Sequence, residues 1–129
     1  MYQGLWTTVD QYIINCLAQS DPVLDAALAT NAADGLPSHD VAPNQGKLLQ
    51  LLALLVGARM ILEIGTLGGY STIWLACALP VGGRLVTLEA DPKRAEVARA
   101  NIVRAGLTDL VHLRVGPALD TLRSLREKV

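Results

Sequence analysis

A short apolar run that passes straight into a glycine-rich loop restricts the fold of this chain more than any other feature. Residues 60–64 read Met-Ile-Leu-Glu-Ile, which suits a buried strand, and glycines follow at positions 65, 68 and 69. Residues 71–79 then predict a helix. A strand, a glycine loop and a helix in succession are typical of a parallel α/β sheet that binds a ligand beyond its carboxyl edge.

Further strands and helices alternate after this unit. The strands are predicted at 84–88 and 110–115, and the helices at 92–105 and 117–126. Alternation of this kind favours parallel strands joined by right-handed crossovers. The sequence therefore predicts an α/β fold of Rossmann-like type, with a partial parallel sheet preceded by N-terminal helices.

The first part of the chain predicts helices. A capping box at Thr8–Gln11 predicts a helix start, and Asp21-Pro22 predicts the start of a second helix, which Gly35 ends. Residues 36–43 predict a loop. Residues 44–56 predict a third helix, so rich in leucine that it should be largely covered by other elements.

Composition and charge indicate a globular domain. The chain has 129 residues, 51% hydrophobic and 18% charged, with a formal net charge of −1, so we expect a buried core and no nucleic-acid partner. The longest apolar stretch, 48–58, is too short to cross a membrane, and no signal peptide is evident. We expect a cytoplasmic protein with buried, reduced thiols at Cys16 and Cys77. The segments of this single domain (1–129) are a helical segment and loop at 1–42 and a Rossmann-like half at 43–129.

The glycine loop and two carboxylates indicate the kind of ligand. Gly65 lets the chain leave the strand tightly, and Gly68 and Gly69 are expected to let the backbone approach a ligand closely. Glu89, 24 residues after Gly65, ends the second strand, where a carboxylate accepts hydrogen bonds from ribose hydroxyls. The G-x-G-x-x-G spacing of dinucleotide sites does not occur here, and Glu63 suits the cationic end of S-adenosylmethionine (SAM) better than a pyrophosphate. These residues favour SAM, and a dinucleotide-dependent oxidoreductase is the alternative.

Several motifs, in order along the chain, resemble one family. They are 35–37 (GLP), 41–49 (VAPNQGKLL), 61–72 (ILEIGTLGGYST), 88–91 (LEAD) and 115–118 (VGPA). Together they resemble the small SAM-dependent O-methyltransferases that include the catechol and caffeoyl-CoA O-methyltransferases and many bacterial relatives. The resemblance covers nearly the whole chain. It implies transfer of the SAM methyl group to a hydroxyl of a small catechol-like or phenolic acceptor.

The resemblance also implies eleven cofactor-binding positions. Those at the methionine end of SAM and at the floor of the site are Val41, Glu63, Tyr70 and Ser71. Those that wrap the cofactor through backbone contacts are Gly65, Thr66 and Leu67. Those at the ribose and the adenine are Glu89, Ala90, Gly116 and Ala118.

Several of these assignments have structural alternatives. Glu89 is alternatively a solvated acid at a strand end, and Glu63 a helix-capping or salt-bridged acid. Val41, Leu67 and Tyr70 are alternatively packing residues. Outside the implied set, a structural role is favoured for Asp91 (a helix cap), His39 (a loop or surface residue rather than a base) and Lys93-Arg94 (a solvated helix face).

The sequence departs from the family where the acceptor is activated. After the third strand, relatives carry an acid and an Asp-Asn pair that hold a divalent metal such as Mg²⁺, and a lysine base. Those ligands have no counterpart here, so no catalytic or metal-binding residue is assigned. The chain supplies only strands 3-2-1 of the family sheet, which would leave residues 60–64 as an exposed apolar edge. We therefore expect a homo-oligomer or a fragment, and the alternative function is a non-catalytic SAM-binding or assembly fragment.

Overall fold

The computed structural model describes residues 2–19 and 21–126, which form six helices and three strands. In chain order the elements are α1 (Tyr2–Leu17), α2 (Pro22–Ala33), α3 (Pro43–Leu55), β1 (Met60–Ile64), α4 (Tyr70–Ala76), β2 (Arg84–Glu89), α5 (Pro92–Arg104), β3 (Val111–Val115) and α6 (Ala118–Arg126). The predicted type and order of the elements are confirmed. The α/β class with N-terminal helices is confirmed as well.

The three strands form a parallel sheet in the order β1-β2-β3. The central strand β2 pairs with β1 at Ile61 and Leu85, and with β3 at Leu85 and Val111. Within the described residues, β1 has a neighbouring strand on one side only. Met60 and Leu62 on this strand are 73% and 50% exposed, so the apolar edge expected from the sequence is present.

Aspartate caps and prolines begin two of the helices, as predicted. Asp21 Oδ1 accepts a hydrogen bond from the backbone N–H of Val23 (2.8 Å), and Pro22 is the first residue of α2. Asp91 caps α5 in the same way through the N–H of Lys93 (2.8 Å). Each cap satisfies an amide that the first turn leaves free and contributes about 1 kcal/mol.

The predicted start of the first helix is wrong. α1 begins at Tyr2, and Thr8 lies inside it, where its hydroxyl donates to the carbonyl of Gly4 (2.9 Å). The amide of Gln11 donates to Asn15 (2.9 Å) instead of reaching back to the helix start. Threonine forms such bonds to the preceding turn within helices, so the spacing of a capping box also occurs in a helix interior.

Two apolar clusters form the core. The first joins the end of α1 and the helices α2 and α4, and its buried members are Ala18, Leu24, Ala27, Tyr70, Ile73 and Trp74. The second joins α4 and α5 to the sheet, and its buried members are Ala76, Leu85, Ala98, Ile102 and Val111. Both clusters include α4. The helix that follows the glycine loop is therefore packed into both clusters, which fixes the position of the loop.

The third helix is less covered than its leucines predict. Five of them are 46–83% exposed: Leu48, Leu51, Leu52, Leu54 and Leu55. The main neighbours of α3 among the described elements are α4 and α1, and the contact with α4 is close. A Cβ at Gly46 would lie 2.3 Å from the ring of Trp74. One face of α3 thus packs tightly, while the opposite leucine face has no described element against it.

The thiols also differ from the prediction. Cys16 on α1 and Cys77 at the end of α4 are both exposed, so the expectation of buried thiols is wrong. An apolar sequence neighbourhood did not lead to burial because these two helices present those positions outward. In the described part of the chain, no helix combines the length and apolar character needed to cross a membrane.

Candidate functional site

A cleft of about 370 Å³ opens beside the glycine loop at the carboxyl edge of the sheet. Its lining residues are His39, Ile64, Gly65, Leu67, Leu88, Glu89, Ala90, Arg94 and Ala118. Five of the eleven positions implied by the family resemblance therefore share one cleft. They come from the ends of all three strands, which is the edge where open parallel sheets bind ligands.

Two residues for which the sequence favoured a structural role also line this cleft. His39, expected in a loop near the site, is exposed at the cleft. Arg94 was interpreted with Lys93 as part of a solvated helix face. Its guanidinium pairs with Asp91 (3.5 Å), and 39% of its side chain is exposed. Arg94 therefore lies at the rim of the cleft while its side chain remains partly solvated.

The glycine loop is held in an uncommon backbone conformation. Leu67 has a φ of 52°, the one positive value at a non-glycine residue in the described chain, and Gly65 and Gly69 have φ of 91° and 85°. A leucine in the left-handed region costs about 1–2 kcal/mol, so other contacts must hold it there. Glu89 supplies them, because its Oε2 accepts hydrogen bonds from the N–H groups of Thr66 (3.2 Å) and Leu67 (2.8 Å).

Glu89 is a buried carboxylate that organises this edge of the sheet. It is 6% exposed, and its Oε1 accepts a third hydrogen bond, from the N–H of Asp91 (3.0 Å). The alternative of a solvated strand-end acid is therefore wrong. A carboxylate offers about four acceptor positions, so the three amides leave capacity for a ligand hydroxyl. Its contact with ribose hydroxyls stays a prediction.

Glu63 accepts hydrogen bonds from three hydroxyl groups. Ser71 and Thr72, in the first turn of α4, reach it at 2.6 and 2.5 Å, and Thr87 on β2 reaches it at 2.6 Å. Because Thr87 donates to Glu63, the hydroxyl of Thr66 is the donor in its own contact with Thr87 (2.6 Å). Neither a backbone amide nor a cation is among these partners in the described structure. The helix-capping and salt-bridge alternatives therefore do not hold.

The remaining predicted positions lie beside or behind the cleft. Tyr70 is 2% exposed in the first core cluster, and burial raises the pKa of its phenol, which is uncharged at neutral pH. Val41 packs against the same cluster. Gly116 follows β3, and its N–H donates to the carbonyl of Glu89 (2.9 Å). Packing is the observed role of Tyr70 and Val41, and their contact with a cofactor stays a prediction.

Two glycines of the loop have roles within the protein itself. A Cβ at Gly68 would overlap the side-chain amide of Asn31, whereas one at Gly69 would make only an ordinary contact with Ala98 (3.5 Å). Gly68 is therefore required by packing and Gly69 by its φ of 85°, so the expectation that both make room for a ligand is corrected. A Cβ at Gly65, by contrast, would meet no atom within 4 Å. Gly65 is the glycine of this loop with an open face on the cleft.

Two buried asparagines behind the loop did not emerge from the sequence patterns. Asn31 on α2 and Asn101 on α5 are 2% and 1% exposed. Asn101 Nδ2 donates to Asn31 Oδ1 (3.0 Å) and to the carbonyl of Gly68 (2.8 Å), and Asn31 Nδ2 donates to Asp40 Oδ1 (3.0 Å). Asparagine is a poor helix former because its side chain competes for backbone partners. Its presence in the interior of two helices was the available signal.

Other candidate sites are less developed. A cavity of about 490 Å³ is lined by Cys16, Trp74 and Cys77 among others, and it contains none of the eleven predicted cofactor positions. Across residues 2–19 and 21–126, no group of three or more His, Cys, Asp or Glu side chains converges where a metal could bind. The cleft beside the glycine loop is therefore the site that joins the most sequence-predicted residues.

Known proteins place this chain in a family. The sequence pattern of the O-methyltransferase family matches residues 16–129. The chain therefore belongs to the O-methyltransferase family, and the resemblance seen in the sequence motifs is confirmed.

Individual relatives agree with this assignment. Catechol O-methyltransferase from Niastella koreensis is 54% identical over 99% of this chain and 58% of its own length, and that from Mycobacterium tuberculosis is 56% identical over 91% and 53%. The crystal structure of an O-methyltransferase from Bacillus cereus in complex with S-adenosylhomocysteine (SAH) matches with a TM-score of 0.93 and 57% identity, over 96% of this chain and 56% of that one. The chain thus spans little more than half the length of these relatives.

Proposed function

We propose that this chain is the SAM-binding part of an O-methyltransferase that methylates a hydroxyl of a small catechol-like or phenolic acceptor. The observation that carries the proposal is the cleft formed by Gly65, Leu67, Glu89, Ala90 and Ala118. It occurs in a chain that resembles, at a TM-score of 0.93, a protein solved with SAH.

The nucleoside end of SAM fits the open part of this cleft. The free acceptor capacity of Glu89 suits ribose hydroxyls, and the small side chains of Ala90 and Ala118 leave space beside a flat base. Gly65 and Gly116 have φ of 91° and 137°, a backbone conformation that favours glycine, and Cβ atoms there would meet nothing within 4 Å. The space beside both backbones is therefore open to a ligand.

The methionine end of SAM fits the polar side of the glycine loop. The family resemblance implies that Ser71 lies near the carboxylate of SAM. Because Ser71 donates its proton to Glu63, its oxygen can only accept from the cofactor, which suits the neighbouring ammonium group. Glu63 adds a carboxylate at the same place, which favours a cationic ligand end over a pyrophosphate. Together with the backbone of Thr66 and Leu67, these groups would orient the cofactor. Tyr70 and Val41 would support the same end by packing behind it.

The reaction requires positioning more than covalent assistance. When bound, SAM supplies an activated methyl group for in-line attack by a hydroxyl oxygen, and alignment of the two contributes a large share of the rate. The residues of this chain bind and orient the donor. The divalent metal implied by the family has no matching ligand set in the described residues, so the proposal assigns no metal ligand and no catalytic base to them.

We propose a cytoplasmic location and a homo-oligomer in which the apolar edge of β1 is covered. The exposure of Met60 and Leu62 on that edge also favours the second candidate function, a non-catalytic SAM-binding or assembly module. A catechol methylation assay with Mg²⁺ separates the two functions, because turnover by the chain alone excludes the module.

Calorimetric titration with SAH tests cofactor binding directly. The wild-type chain is expected to bind SAH, and Glu89→Ala is expected to weaken binding by more than tenfold, because the loop amides lose their acceptor and the ligand loses a polar partner. Ser71→Ala is expected to have a smaller effect. Glu96→Ala is the matched control, since Glu96 is an exposed acid on α5 that pairs with Arg99 (3.7 Å). Absence of binding by the folded wild type, or equal binding by all four proteins, would contradict the proposal.

A further inference from the structure

The glycine loop is anchored at two points, and one of them lies outside the proposed cofactor contacts. Glu89 holds the N–H groups of Thr66 and Leu67. Asn101 holds the loop one residue further on, through the carbonyl of Gly68 (2.8 Å). The left-handed residue Leu67 is therefore held from both sides. The Glu89 carboxylate accepts from the N–H of Leu67, and the Asn101 amide donates to the carbonyl of the next residue, Gly68.

The orientation of the Asn101 amide is set by its neighbours. Arg104 Nη1 donates to Asn101 Oδ1 (2.7 Å) and to the hydroxyl of Thr30 (3.3 Å). A cation at the oxygen turns the amide nitrogen towards Gly68 and Asn31. In that orientation, Asn101 donates to both acceptors at once.

Asn31 extends this network to the N-terminal part of the chain. Its oxygen accepts from Asn101, and its nitrogen donates to Asp40 in the loop before α3. Its amide also lies directly against the backbone of Gly68, where no Cβ would fit. Asp40 stands between His39, which lines the cleft, and Val41, so the network joins the loop before α3 to the glycine loop.

We propose that the Asn31–Asn101 pair consists of positioning residues that hold the glycine loop in its cofactor-binding conformation and couple it to Asp40. This inference rests on the proposed function, since it concerns affinity for SAM and SAH. Neither asparagine lines the cleft, so both act through the loop backbone. Buried amide networks of this kind specify one arrangement only when every donor and acceptor is satisfied.

Exchanging the amide and the carboxylate between positions 31 and 40 tests the pair in this chain. Asn31→Asp keeps the acceptor for Asn101 but places a second carboxylate against Asp40, and it is expected to weaken SAH binding about tenfold in calorimetry. The double variant Asn31→Asp with Asp40→Asn restores one donor between the two positions. It is expected to return affinity to within about threefold of wild type, because the same atoms are paired with the direction of one bond reversed.

The matched control is Ile102→Ala, which removes a buried side chain of the second core cluster next to Asn101 on α5. Because Ile102 makes no side-chain hydrogen bond to the loop, we expect this variant to lower stability and to leave SAH affinity unchanged below its unfolding temperature. If Asn31→Asp does not fold, Asp40→Leu against Asp40→Asn provides the same test from the other end of the network. Asp40→Leu should weaken SAH binding, and Asp40→Asn should not.

The outcomes separate this inference from the proposed function. Loss of affinity in Asn31→Asp with recovery in the double variant supports the pair as positioning residues. The inference is overturned if Asn31→Asp and Ile102→Ala lose SAH affinity to the same degree for the same drop in unfolding temperature. It is also overturned if the double variant does not regain affinity. In both cases SAM binding by the wild type stands. If wild type fails to bind SAH, the proposed function fails and the inference fails with it.

Discussion

The carboxyl edge of the sheet and the α3 side of the molecule differ in two ways: how many of their buried polar groups have hydrogen-bond partners, and how much of their apolar surface is buried. At the carboxyl edge, Glu63 and Glu89 each accept three hydrogen bonds from within the chain. On the α3 side, by contrast, Asn44 Oδ1 is buried without a partner among the described residues. Most buried polar groups in proteins are paired, so the carboxyl edge is the more complete of the two regions.

The apolar side chains show the same difference. Leu85 and Leu88 on the central strand are 0% and 2% exposed, whereas Leu55 on α3 and Met60 on β1 are 83% and 73% exposed. Large contiguous apolar patches on a protein surface are typical of interaction sites. The residues around the glycine loop are thus held by contacts within this chain, while the surface along β1 and α3 is suited to cover by further protein.

The largest expected effect is that of Gly68→Ala. The added Cβ would overlap the amide of Asn31, which has no room to move because it is buried and bonded on both sides. We expect the free energy of unfolding to fall by about 3 kcal/mol, as for overpacking in a dense site. Urea denaturation followed by circular dichroism measures this. Gly4→Ala, at an open position on α1, is the control and should be neutral or stabilising; a Gly68→Ala protein as stable as wild type would show that the loop is not rigidly packed.

A smaller effect is expected from Asp40→Asn. Burial raises the pKa of the Asp40 carboxyl above 3.8, so the folded state binds a proton more readily than the unfolded state. The stability of the wild type should therefore fall as pH rises from 3.8 through the raised pKa. Asp40→Asn keeps an acceptor for Asn31 and should lack this part of the pH dependence. Unfolding temperatures across that range measure the difference, and identical profiles for the two proteins would argue against burial of the charge.

The smallest effect on folding is expected from Leu62→Lys on the free edge of β1. Leu62 is half exposed, so the change in unfolding free energy should stay within about 0.5 kcal/mol. A lysine on an edge strand opposes pairing with another chain, so self-association should decrease strongly. Sedimentation velocity at several concentrations compares the variant with wild type. An unchanged oligomeric state would remove β1 as the interface and weaken the contrast between the two regions.

The sequence predicted the elements well where local signals were strong. The caps at Asp21 and Asp91 and the strand before the glycine loop follow from side-chain chemistry and periodicity within a few residues. It predicted poorly where one local pattern has two outcomes. Thr8 in a helix interior and the exposed leucines of α3 are such cases. A local pattern does not show whether the chain before Thr8 is helical, or whether another element packs on the leucines.

The site divides in the same way. The strand ends that carry Gly65, Glu89 and Ala118 could be predicted, since parallel strands bring their carboxyl ends to one edge. The partners of Glu63 and the amide network of Asn31 and Asn101 could not, because they join residues up to 70 positions apart. Such contacts depend on the angles at which helices pack, which no local pattern encodes.

The sequence by itself determined the order of the elements, the glycine loop and the acids that flank it, because each depends on neighbouring residues in the chain. Only the tertiary structure decided what those residues do. In the folded chain, Gly68 packs against Asn31, Glu89 accepts hydrogen bonds from the loop amides, and β1 lies at the exposed edge of the sheet. The physical reason is that hydrogen-bond partners and burial are properties of residues brought together by packing.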